Sequence, residues 1–202
     1  MAIKNIFFDL DGVLVDLDHS FVGALRTLPE YKDITPADLP RLFPDSFGTG
    51  SFELPEKFKK LNWINSPFWS DRPIYPGALE SLKRLKERGF YMAIISAASG
   101  RAEEKRAWIA ERFGDYVADI EISSHYESKD GFIKNMLTRH NLEKEETVML
   151  DDRFPNLRSA LAAGIGAVWR KPDIGADGLP ADLAALPVVK SLEEFEKLLD
   201  ND

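Results

Sequence analysis

The 202 residues are 44% apolar and 30% charged, the balance of a globular chain long enough for one sizeable core and a small accessory insertion, and unlike that of a fibre or a disordered tail. A net charge of −8 with no block of Lys and Arg argues against a nucleic-acid polymer, whose binding depends on neutralising many phosphates. The absence of cysteine excludes disulfides and thiolate metal sites and fits a reducing, cytoplasmic setting; no apolar run reaches the roughly 18 residues of a membrane-crossing helix, and the carboxylate at position 9 argues against a secretory leader.

Residues 3–8 (Ile-Lys-Asn-Ile-Phe-Phe) read as a buried strand that ends at Asp9. From Asp16 to about Pro73 the text changes to aromatics, prolines and three helical pieces, one opened by Thr35 as N-cap with Pro36 behind it, which reads as a helical insertion. After it the chain alternates regularly. Pro76 opens a helix with Leu79, Leu82 and Leu85 on one stripe, stopped by Gly89, and a strand follows over 90–96. A helix is expected over 101–112 with Ser99 as a candidate cap, then a strand over 120–123. Next come a helix over 130–140 carrying Phe132, Ile133, Met136 and Leu137, a strand over 147–150, and a helix over 156–163 stopped by Gly164. A strand over 165–169, a short one at Val188–Val189 and a last helix opened by Ser191 and Glu194 at capping-box spacing complete the series.

Strands alternating with helices imply right-handed crossovers and an α/β, doubly wound parallel sheet, in which ligands bind beyond the carboxyl ends of the strands. The residues at those ends are Asp9 and Asp11, then Ser96, then Asp151 and Asp152. Phe7-Phe8-Asp9-Leu10-Asp11-Gly12-Val13 resembles the signature of the haloacid dehalogenase superfamily, an apolar strand delivering Asp-x-Asp-Gly. The resemblance implies a Rossmann-type core over 1–15 and 74–202 with a small helical cap over 16–73, a nucleophilic Asp9 and an acid/base Asp11. A carboxylate nucleophile splits one hard displacement at phosphorus into two easier ones through an aspartyl-phosphate. The second carboxyl needs a pKa nearer working pH, and crowding by like charge is expected to raise that of Asp11. Gly12 lets the chain turn away sharply.

Asp151-Asp152 with Asn156 resembles the fourth motif of the same superfamily, which makes Asp152 the metal ligand, Asp151 a helper through hydrogen bonds or water, and Asn156 a loop support. Carboxylates ~4 Å apart repel by about 4 kcal/mol at an effective dielectric of ~20, so with a phosphate they call for a counter-ion. Mg2+ held by Asp9, the Asp11 carbonyl and Asp152 is expected. Ser96 and Lys129 complete the pattern as electrostatic partners of the phosphoryl group. Lys129 precedes its helix, whereas the rival Lys134 lies within it. Ser96 could instead cap the next helix, and Asp16 could either serve the site or cap a helix.

The insertion's Phe43, Phe47, Trp63, Phe68 and Trp69 are read as its own core in preference to a stacking platform, and Lys57, Lys59 and Lys60 as a solvated face. The function implied is hydrolysis of a small phosphorylated metabolite by a monomer or homodimer. A phosphomutase resembling the β-phosphoglucomutase branch and an idle binding protein on the same fold are the alternatives. Pro67-Phe68-Trp69 with Pro73-Ile74-Tyr75-Pro76-Gly77-Ala78-Leu79 is similar to deoxyribonucleotidase-like members, although Ser96-Ala97-Ala98 departs from their second motif.

Overall fold

An apolar segment too short for a helix and buried on both sides has one economical place in a protein, the middle of a sheet, and β1 (Asn5–Phe8) occupies it. The structure, a computed structural model, describes residues 2–43, 72–98, 101–123, 128–175 and 178–200. The further strands are β2 (Tyr91–Ala97), β3 (Asp119–Ser123), β4 (Thr147–Asp151), β5 (Gly166–Arg170) and β6 (Val188–Val189). They form one parallel sheet in the order β3-β2-β1-β4-β5-β6.

Side chains alternate across each strand, and both sets are buried. Ile6, Phe8, Ile94, Leu150 and Val168 belong to one cluster, with Leu82 and Leu85 of α3 (Ala78–Glu87), Ile109 and Phe113 of α4 (Ala102–Phe113) and Phe195 of α7 (Leu192–Leu199). Phe7, Ile95, Met149 and Trp169 point the other way, onto Ile133 and Met136 of α5 (Asp130–His140) and Leu157 and Ala160 of α6 (Phe154–Ala163). Helices on both faces make the sheet doubly wound, as expected. The chain runs outward from β1 through β2 to β3, then returns to β1's other side with β4, so β1 and its neighbours flank the topological switch point.

The remaining described helices, α1 (Leu17–Leu25) and the single turn α2 (Leu39–Leu42), bury Phe21, Val22, Leu25, Ile34 and Leu39 in a separate cluster. Phe43 packs against it and tilts over Tyr31 with ring centroids 6.4 Å apart, in keeping with a core role. Phe47, Trp63, Phe68, Trp69 and the lysines at 57, 59 and 60 lie outside the described residues. The chain leaves and re-enters the sheet domain at adjacent points: Asp16 N donates to the Pro73 carbonyl (2.8 Å), Tyr75 N to that of Leu14 (3.0 Å), and Val15 bridges Ile74.

Several boundaries differ from expectation. Helix α3 starts at Ala78, after Gly77 (φ 79°), because Pro76 lies in the preceding turn. Helix α6 starts at Phe154, and Pro155 sits in its first turn where a missing N–H costs nothing. Thr35 does precede a turn, but a 3-10 one (Pro36–Asp38), whose Asp38 carboxylate accepts from Thr35 N (2.9 Å) and Oγ1 (2.8 Å). Ser191 Oγ accepts from Glu194 N (3.2 Å), while the Glu194 carboxylate reaches Lys190 N (2.7 Å), one residue further back than a capping box requires. Ser99 lies outside the described residues, and Arg101 occupies the cap position of α4.

Candidate active site

Asp9 follows β1 directly, and its N–H donates to the Leu150 carbonyl (3.0 Å), which fixes it beside the end of β4. There β4 delivers Asp151 and Asp152. The three residues each place a carboxylate oxygen within 4.8 Å of the others'. At that separation two unit charges repel by about 3.5 kcal/mol at an effective dielectric of ~20.

Part of this repulsion is met by Lys129, the residue that leads into α5. Its ammonium, 4% exposed, donates to Asp9 Oδ1 and Asp151 Oδ2, each at 2.8 Å. Burial works against its charge, yet Asp151 and Asp9 outweigh burial and raise its pKa. Lys134 pairs with Asp130 at the surface (3.2 Å), so Lys129 is the lysine brought to the cluster. Asp151 is fully committed: its other oxygen accepts from Arg153 N (2.9 Å) and Asn156 Nδ2 (3.0 Å). Asn156 thus holds a side chain of the cluster and through it the loop.

Asp152 differs. Its main-chain carbonyl accepts from Trp169 Nε1 (3.0 Å), but its Oδ1 is buried with no hydrogen-bond partner among the described residues. A buried, unpaired carboxylate oxygen is expensive, and an all-oxygen donor set around it fits a hard divalent cation. Burial, then Asp151 and Asp9, hold the Asp152 carboxyl well above the usual range. Burial likewise pushes Asp9 up to about 6 against the pull of Lys129, with Asp151 and Asp11 adding to the rise. Gly12, at φ 83°, adopts a left-handed conformation, and a Cβ there would collide with the Asp152 carboxylate.

Asp11 does not behave as its sequence neighbours suggested. Arg72 Nη1 bonds its Oδ1, and Lys105 Nζ donates to its Oδ2 (2.6 Å) and to the Ala97 carbonyl (2.6 Å). Burial would raise its pKa, but these two cations overcome burial and hold it far below the ordinary carboxylate range. The expected rise from like-charge crowding is therefore reversed. Among the described residues its carboxylate does not join the Asp9–Asp151–Asp152 group.

Ser96, near the end of β2, is 1% exposed, and among the described residues its Oγ has no partner and caps no helix. Asp16 resolves as an N-cap, accepting from His19 N (3.1 Å) at the start of α1. Arg72 and Lys105 were missed. Arg72 sits where the insertion returns to the core. Lys105 had a readable signal: it shares the buried stripe of α4 with Trp108, Ile109 and Phe113, where a lysine needs an acidic partner.

Pyrophosphatase PpaX of Halalkalibacterium halodurans is 24% identical over 177 residues, covering 82% of each chain. A protein of Oceanobacillus iheyensis assigned by name to the nucleotidases is 33% identical over 110 residues, 52% of this chain and 56% of that one. The crystal structure of a haloacid dehalogenase-like family protein from Streptococcus pneumoniae shares the fold at a TM-score of 0.68 and 17% identity, covering 97% of this chain and 98% of that one. The family model for haloacid dehalogenase-like hydrolases matches residues 3–164. That span runs from the strand that carries Asp9 to the glycine that ends α6 and contains every clustered side chain, and the chain belongs to this family.

Proposed function

We propose that the protein is a Mg2+-dependent phosphatase of small-molecule phosphate monoesters that carries the phosphoryl group transiently on Asp9. The observation behind this reading is the grouping of Asp9, Asp151 and Asp152 about Lys129 at the carboxyl edge of the sheet. Asp9, Asp152 and the Asp11 carbonyl would hold the ion, with Asp151 and Asn156 supporting; among the described residues no His or Cys joins the group to favour zinc. When bound, the ion offsets the carboxylate charge and polarises the phosphoryl oxygens.

Lys129 holds one oxygen of Asp9 and thereby orients the carboxylate toward phosphorus. As the Asp9 oxygen bonds to phosphorus, the P–O ester bond breaks and the departing alkoxide takes a proton from Asp11. Water then attacks the phosphoryl group and gives its proton to the Asp11 carboxylate, which releases phosphate and restores Asp9. Ser96 Oγ, uncommitted among the described residues, is available to donate to a phosphoryl oxygen. As a base Asp11 is ready, held ionised by Arg72 and Lys105; as an acid it would carry its proton on Oδ2 in place of the Lys105 bond, with Oδ1 still held by Arg72.

Residues 16–73 would act as the cap, with their own apolar cluster and two adjacent crossings to the core, excluding water while Asp9 carries phosphate. The name of the Halalkalibacterium relative makes pyrophosphate a substrate to include. The test is phosphate release from a panel of phosphomonoesters and pyrophosphate, with and without Mg2+, beside Asp9→Asn. The expected outcome is turnover that needs the cation and falls at least about 10³-fold in Asp9→Asn. No turnover with any divalent cation overturns the reading, and transfer of phosphate to a sugar in place of water assigns a mutase.

A further inference from the structure

The two cations on Asp11 arrive from different parts of the fold. Lys105 comes from α4. Arg72 comes from the return crossing of the insertion, one residue before Pro73, whose carbonyl takes the Asp16 N–H, and two before Ile74, which bridges Val15. Its guanidinium is buried, with Cζ 4.9 Å from the ring centroid of Trp108, one turn beyond Lys105 on α4. The same ring carries Arg112 at 4.4 Å. Arg72 is therefore held by backbone bonds beside it and by an aromatic face against its planar head, and it presents Nη1 to Asp11 Oδ1.

We propose that Arg72 is a positioning residue for Asp11, setting the direction in which that carboxyl meets the oxygen of the leaving group. The inference rests on the phosphatase reading. An aspartate at a strand-to-loop turn has several staggered rotamers, and a bond to Lys105 alone leaves one of its oxygens without a partner. General acid catalysis depends on the donor lying within hydrogen-bond reach of the breaking P–O bond, so a lost orientation costs rate in proportion to how much the leaving group needs its proton. An alkoxide needs it; a dinitrophenolate does not. Because Arg72 stands on the crossing, displacement of residues 73–75 reaches the Asp11 carboxylate through this side chain, beside the backbone route through Val15, which bridges both Ile74 and Asp11.

The experiment compares the wild type, Arg72→Met and Trp108→Leu with Mg2+ on an alkyl phosphate and on 2,4-dinitrophenyl phosphate. It reads the pre-steady-state burst of leaving group, which reports formation of the phospho-enzyme before water attack. The expected result for Arg72→Met is a burst rate about 10²-fold lower with the alkyl ester and within about 3-fold of wild type with the dinitrophenyl ester. Trp108→Leu, which keeps both charges and removes the ring, should show the same selectivity at about 10-fold. Equal slowing of the two esters, or none with either, overturns the proposal. Should the wild type turn over neither ester, the phosphatase reading fails first, so the two failures are distinguishable.

Discussion

Lys129→Met would remove the cation that Asp9 and Asp151 share. The ammonium lies 2.8 Å from a carboxylate oxygen of each, and none of the three side chains is more than 7% exposed. At an effective dielectric of ~20 each attraction is about 6 kcal/mol gross, and the cost of burying three charges offsets most of it. What the substitution measures is the pair of carboxylates left behind, about 3–5 kcal/mol for breaking a buried ion pair. Methionine keeps the length and apolar stem, so the cavity contribution is small. With a urea slope near 2 kcal/mol/M, the unfolding midpoint at neutral pH should fall by about 2 M. Millimolar Mg2+ should restore more stability to the variant than it adds to the wild type, because the ion then meets acidic groups that no lysine competes for. Circular dichroism through a urea titration, with and without Mg2+, reads both. A loss under about 1 kcal/mol, or an equal Mg2+ gain in both proteins, would refute the charge balance described for the site.

Ser96→Ala should leave stability within about 1 kcal/mol of wild type, since the hydroxyl bonds nothing among the described residues, yet lower kcat by about 10- to 10²-fold; thermal melts and steady-state rates measure the two. Gly12→Ala places a Cβ against the Asp152 carboxylate in a left-handed backbone and should cost about 2 kcal/mol or more while weakening Mn2+ binding, which electron paramagnetic resonance follows. Asp18, on α1, is pushed from 3.8 up to about 6 by burial and by Asp16, against Arg170, with Asp173 adding to the rise and His19 opposing it. Its folded-state pKa lies above its unfolded value, so it favours folding while protonated and the benefit is lost as pH rises from about 4 through 6. At 1.36 kcal/mol per pH unit, Asp18→Asn should stabilise the protein by up to about 3 kcal/mol at pH ~8 and by almost nothing at pH ~4. Urea midpoints that shift equally at both pH values would contradict the sign.

The sheet and its acidic edge were readable because their signals are local. An apolar run ending in a carboxylate gives β1 and Asp9, and a lysine just ahead of an amphipathic helix gives Lys129 over Lys134. The environment of Asp11 was not readable in the same way: its partners Arg72 and Lys105 lie 61 and 94 residues away, and chain proximity offered only acidic neighbours. Lys105 could have been found by treating its place on an apolar helix stripe as a demand for a partner. Helix α6 starts two residues ahead of the expected Asn156 because the missing N–H of Pro155 suits the first turn.

The paired crossings at Leu14–Asp16 and Pro73–Tyr75 also govern what could replace the segment between them. Because its ends are already pinned together by backbone bonds, a substitute loop would meet a closure cost that grows only with the logarithm of its length. A chimera carrying a foreign domain there should therefore keep the sheet's stability, provided the splice falls before Arg72, so that the guanidinium stays with its host.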